Sequence, residues 1–188
     1  MKTIALDKIG SVTRNCRLDR EVRLSDRIPA VEGGVIAARV LSEKSGYNQI
    51  ELPSGRFSQV KQGDVIAGAL GHRKALFGYA GRVPAAVAPG DRIEVLNLGG
   101  VLGICESVNP DLGPPFQCEV LGQVLAFPVL GERIGIPAHI EQGALPLVDA
   151  ARPLDLGGVP VIAVVGTCMN AARPRSSARS CTSSTGAA

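Results

Sequence analysis

From Gly33 onward, apolar runs recur at short intervals: Val35–Leu41, Gln49–Leu52, Val65–Leu70, Ala75–Tyr79, Arg92–Leu98, Val101–Cys105 and Glu119–Phe127. Turn-forming clusters separate them, at Pro53-Ser54-Gly55, Gln62-Gly63-Asp64, Pro89-Gly90-Asp91, Asn109 to Pro115 and Gly131. Short β-rich runs punctuated this way predict strands of an all-β barrel or sandwich. Ahead of them, polar and apolar residues alternate around Met1–Ile9 and Glu21–Ile28, which predicts one or two strands, or a strand and a short helix. Residues 1–30 are therefore read as N-terminal strands and residues 31–130 as a barrel-like domain. Residues 131–158, rich in Pro and Gly, read as a connector.

A different pattern begins at Val159. The β-branched run Val161–Val165 ending at Gly166 has the form of a buried parallel strand. A strand of that kind followed by glycine opens a phosphate loop, in which backbone amides converge on phosphate, a lysine supplies charge and a Ser or Thr hydroxyl holds magnesium. Gly166, Thr167 and Asn170 fit the start of such a loop. The chain then continues Ala171-Ala172-Arg173-Pro174-Arg175, without the lysine and with a proline in the first turn of the expected helix.

The genetic code supplies a reason. If Asn170 to Pro174 are encoded AAC-GCG-GCA-AGA-CC, restoring one lost G gives Asn-Ala-Gly-Lys-Thr. Residues 159–170 are then the first strand and the start of the loop of an incomplete α/β domain, and residues 171–188 a non-native or disordered tail. With the recovered Gly-Lys-Thr, five residues separate the loop glycines. That spacing resembles the dethiobiotin-synthetase and MinD-like branch of P-loop NTPases, the SIMIBI class. The resemblance covers Val161 to Ala171. It implies a parent that binds ATP or GTP with magnesium, while the chain as written, lacking the lysine, is expected to hold no cofactor and to be inactive.

Charge and composition narrow the rest. Lys plus Arg total 20 and Asp plus Glu 17, but removing Arg173, Arg175 and Arg179 leaves 17 against 17. The sequence thus gives no electrostatic argument for nucleic acid, and the scarcity of aromatics gives no stacking platform for bases. The five cysteines are widely spaced, which points to reduced thiols. The N-terminus lacks the apolar core of a signal peptide and no run approaches a membrane span, so the expected location is cytoplasmic.

Candidate chemistry in the barrel centres on Asn97 with Gly99 and Gly100, glycines of the kind that mark a bulge or a close approach by ligand or backbone. Asn109 and Asp111, with Cys105 and Glu106, lie near in sequence and complete a possible ligand set. His72-Arg73-Lys74 and Arg82 form a basic group suited to an anion or to a solvated hairpin tip. His139 and Glu141 could shuttle protons, but their spacing and that of the cysteines match no zinc pattern, so no metal is expected. The two Gly-Asp turns resemble those of small β-barrels such as the second domain of translation elongation factors, where they punctuate the fold. The alternatives are therefore a β domain attached to a nucleotide-binding P-loop protein, and a stand-alone barrel that binds a small molecule or a protein without enzymatic activity.

Overall fold

Two strands explain why the barrel runs look almost continuously apolar. In β4 (Val35–Val40) the side chains of Ile36, Ala38 and Val40 enter one core cluster while Val35 and Ala37 enter another on the opposite face. In β7 (Val65–Leu70) Ile66 and Leu70 enter the first cluster, and Ala67 and Ala69 the second. Alternation with period two places each residue on one face, and burial of both faces removes the polar half of the pattern.

A computed structural model describes residues 2–75, 77–128 and 134–144 of the 188-residue chain. The remaining strands are β1 (Lys2–Ala5), β2 (Lys8–Ile9), β3 (Glu21–Ser25), β5 (Gln49–Glu51), β6 (Phe57–Gln59), β8 (Ala80–Arg82), β9 (Arg92–Val95), β10 (Val101–Ser107), β11 (Gln117–Ala126) and β12 (Ile136–Pro137). The fold is mainly β, with 3-10 turns at Ser11–Cys16 and Pro110–Leu112. Gly166, Thr167, Asn170, the incomplete α/β strand and the tail lie outside the described residues.

Five strands close a ring. β4 pairs with β7, β7 with β10, β10 with β9, β9 with β11, and β11 with β4. Every contact is antiparallel except β7 with β10, which run parallel. The interior is filled by side chains, as expected of so small a barrel. Ile93, Leu102, Cys118 and Val120 join the residues of β4 and β7, and Ile50, Val60 and Phe116 pack against them. A second layer covers the outside of β4 and β7. It consists of Leu6, Val22, Leu24 and Val124, together with Ala138 from the segment 134–144, which the sequence assigns to the connector.

The ring carries an approximate internal dyad. Val40 pairs with Cys118 and Ala38 with Val120, so β4 and β11 exchange places about an axis between Arg39 and Glu119. The side chains of these two residues meet at 3.8 Å. The relation extends outward, since Ala38 faces Ile66 on one side and Cys118 faces Ile93 on the other. Both Gly-Asp turns obey it. Gly63 and Gly90 take φ of 91° and 93°, a left-handed conformation that glycine adopts without strain. The Gly63 amide donates to Val40 O and the Gly90 amide to Val120 O, each at 2.8 Å. Asp64 Oδ2 accepts from the Lys61 amide at 2.7 Å, and Asp91 Oδ2 from the Ala88 amide at 2.8 Å.

The structure departs from the sequence pattern in two places. Of the strand expected over Ala75–Tyr79, Ala75 and residues 77–79 carry no ladder, which begins at Ala80; Gly78 turns at φ 129° over the Arg73 guanidinium. β6 carries no apolar alternation, its Phe57 being exposed, yet it forms a hairpin with β5 across Pro53-Ser54-Gly55.

Candidate functional site

The Asn97–Gly100 segment is the turn between β9 and β10. Asn97 Oδ1 accepts from the Val101 amide at 3.0 Å, and the Gly100 amide donates to Asn97 O at 3.2 Å. The glycines serve a close backbone approach: a Cβ on Gly68 would lie 2.3 Å from Gly100 O, and one on Gly10 would lie 2.7 Å from Gly99 O. Beside this turn is a polar cleft of about 300 Å³ lined by Ser11, Val12, Arg14, Asn15 and Glu51. Within it the Ser11 hydroxyl donates to Glu51 Oε2 at 2.7 Å, and the Glu51 amide donates to Leu98 O at 2.6 Å.

Asn109 and Asp111 do not join this cleft. They flank the far end of β10, where Asn109 Oδ1 caps the Pro110–Leu112 turn by accepting from the Asp111 amide at 3.0 Å. Seven strand residues separate the two ends of β10, a span of about 20 Å. The residues grouped by sequence thus divide into two turns with separate structural tasks.

The other polar candidates also engage the fold. Arg73 donates through Nη1 to Leu96 O, and Arg82 Nε pairs with Glu106 Oε1 at 2.8 Å, so the basic group is divided. His139 Nε2 lies 2.8 Å from Glu32 O and Nδ1 accepts from the Glu141 amide at 3.3 Å, a pattern that sets the Nε2–H tautomer. Among the described residues no group of three His, Cys, Asp or Glu side chains is placed to hold a metal ion.

Two polar centres, one partly buried and one fully buried, had no sequence signal. Lys44 Nζ donates to the Tyr79 hydroxyl at 2.7 Å, to Leu112 O at 3.0 Å and to Pro114 O, and lies 5.3 Å from the Tyr79 ring centroid. Burial lowers the Lys44 pKa and raises that of Tyr79, the latter also through Tyr47 and Cys105 and partly offset by Arg73. Gln123, fully buried, places Nε2 within hydrogen-bond distance of the carbonyls of Val35, Val124 and Ala138, so its two amide hydrogens tie β11 to β4 and to the segment after β12. Neither stands in a periodic motif.

A larger groove, about 940 Å³, opens between β3 and β11. It is lined by Glu21, Val22 and Arg23 of β3 and by Leu125, Ala126 and Phe127 at the end of β11, with Cys16, Leu18, Ile136 and Gln142 also lining it. Arg23 places its guanidinium 5.1 Å from the Phe127 ring centroid, and Phe127 and Ile136 are exposed. Burial raises the Cys16 thiol pKa, and its Sγ donates to His139 O at 3.2 Å. The two sets of lining residues come from segments about 100 residues apart, beyond the reach of any local pattern. No helix among the described residues is long and apolar enough to cross a membrane. Searches against known proteins find no matching family model, no matching curated protein and no matching solved structure.

Proposed function

We propose that the barrel is a recognition module that binds a partner on its outer surface and performs no chemistry itself. The observation that carries this reading is the groove between β3 and β11, an open concavity with an apolar floor and exposed Phe127 and Ile136 at its edge. The side chains best equipped for chemistry support it in another way. The Ser11 hydroxyl, both ring nitrogens of His139 and the Lys44 ammonium are occupied in hydrogen bonds that hold turns and strands together. Incubating the purified chain with magnesium-ATP and magnesium-GTP tests the reading. Neither phosphate release nor shifts of barrel amide resonances are expected, and turnover accompanied by barrel shifts would refute it.

The run Val161–Val165 with Gly166 and Thr167 favours a second reading, in which the barrel accompanies a nucleotide-binding P-loop domain whose frame changes after Asn170. Its test is the DNA sequence across codons 168–175. A missing base that restores Asn-Ala-Gly-Lys-Thr, and magnesium-nucleotide binding by the restored chain, are the expected results. A reading frame confirmed as written removes it.

A further inference from the structure

β4 and β11 separate at one end of the barrel, and a short strap, residues 136–140, fills the fork between them. The last direct pair is Ile36 with Gln123. Beyond it the strap enters along β11, where Ile136 pairs with Ala126 and Pro137 with Leu125. At the apex the Ala138 amide donates to Val124 O at 2.8 Å, and Ala138 O accepts from the Val35 amide at 2.9 Å. The strap then leaves along the other limb, where His139 bridges to Gly34 and the Ile140 amide donates to Gly33 O at 3.0 Å. Two side chains of the Ser11–Cys16 turn also reach it, Cys16 Sγ donating to His139 O and Asn15 Nδ2 to Ile140 O.

Hydrogen bonds hold the strap, and burial adds little. Ala138 is its one buried residue, Ile136 is 40% exposed, and Ile140 packs only partly against the second core layer. No strap residue belongs to the core inside the ring, and the five ring strands close on one another without it. Gln123 is suited to the strap's departure. Its two amide hydrogens meet three carbonyls, so when Ala138 O withdraws, Val35 O and Val124 O still take both. Its Oε1 is buried and has no hydrogen-bond partner among the described residues. A buried acceptor left unpaired raises the free energy of the seated state, and withdrawal of the strap from the same amide admits water to it.

We propose that the strap is a latch, which unseats as a unit while the barrel stays folded. Elements with few buried apolar contacts open at lower cost than the core that supports them. Unseating bares the Val35 amide, Val124 O and Gly33 O at the fork, and frees the Cys16 thiol from His139 O. The latch does not depend on the recognition-module reading, because the fork lies on the edge of β11 that pairs with β4, and β3 pairs with the opposite edge.

Native-state amide hydrogen exchange of the full chain, in urea below its unfolding transition, tests the latch. The amides of Val35, Ala138 and Ile140 report the strap, and those of Ala69 and Val95, which donate to Gly100 O and Phe116 O, report the barrel. The three strap amides should be protected, should share one opening equilibrium about a hundredfold or more above that of the barrel pair, and should be nearly insensitive to urea because little surface is exposed. Strap amides that exchange at the barrel rate, with the barrel's urea dependence, overturn the proposal, since the strap then opens only with the whole fold. Three unequal openings overturn it as fraying of separate bonds. Exchange without any protection overturns it too, because the strap is then not seated. Ala138→Asp places a carboxylate at the buried apex and gives a second arm. Ala69 and Val95 should stay protected in that variant while Val35 and Ile140 lose protection, and a variant that fails to fold, or loses protection throughout, overturns the latch.

Discussion

Replacing Asp64 and Asp91 separately by Ala turns the internal dyad into a measurement. The two aspartates occupy equivalent turns and accept equivalent amides, at 2.7 Å and 2.8 Å. Loss of a hydrogen bond from a backbone amide to a charged group costs about 1.5–3 kcal/mol, and the exposed setting places each turn near the lower end. Asp64 differs in one respect, because its Oδ2 also meets Lys8 Nζ at 2.5 Å with side chains only 17% and 13% exposed. Removing Asp64 leaves that ammonium without its partner. A partly buried pair of this kind lies between exposed pairs, at about 0.2–1 kcal/mol, and the 3–5 kcal/mol lost on breaking a buried one. Asp91→Ala should therefore cost about 1–2 kcal/mol and Asp64→Ala about 3–4 kcal/mol by urea unfolding. In a Lys8→Met background, which keeps the apolar stem, the Asp64→Ala cost should fall to that of Asp91→Ala. Equal costs for the two single substitutions, or a gap that survives Lys8→Met, would show that the turns are not equivalent or that the ion pair is not the difference.

Gly68→Ala should destabilise by about 3 kcal/mol or more in the same assay, since its Cβ would meet Gly100 O at 2.3 Å, whereas Gly46→Ala, with no atom within 4 Å, should be neutral to about 0.5 kcal/mol. Burial, with a smaller contribution from Glu94, pushes the Cys118 thiol up to about 12, so the unfolded chain ionises first, near pH 8.5. Stability is then fully present below that pH and falls as pH rises toward 12, by roughly 2–3 kcal/mol at pH 10.5, and Cys118→Val should remove this part of the slope in urea titrations under reducing conditions. Alkylation followed by mass spectrometry should modify the partly exposed Cys16 and Cys105 before Cys118, which should react only on unfolding. Lys44→Met should cost about 2–3 kcal/mol by leaving the carbonyls of Leu112 and Pro114 short of a donor, while Tyr79→Phe, which removes one of three acceptors of Lys44, should cost about 1 kcal/mol.

The sequence announces β4 and β7 clearly because both their faces are buried, and it announces Gly63-Asp64 and Gly90-Asp91 because a left-handed turn followed by an amide-accepting carboxylate has a residue signature. It does not announce β6, whose side chains are polar or exposed and whose only signal is the turn that precedes it. Among the candidate site residues, Asn97, Gly99 and Gly100 gather beside the Ser11–Glu51 cleft, but the straight run of β10 carries Asn109 and Asp111 to its other end. Proximity along a strand is distance in space. The groove escapes notice for the converse reason, since Glu21–Arg23 and Leu125–Phe127 become neighbours only through the Leu24–Val124 pairing.

The order in which the ring closes bears on how the chain is made. β11 is the last of the five barrel strands in sequence, and it supplies partners to β4, β9, β3 and β12. Joining Val40 to Cys118 closes a loop of about 80 residues, so the barrel has its decisive contacts at long range and should fold in the slow regime of non-local β proteins. During synthesis β4, β7 and β9 emerge well before the strand that completes them. Until Ala126 has left the ribosome, their open edges, and not the surface of the finished barrel, are where the chain is most exposed to aggregation.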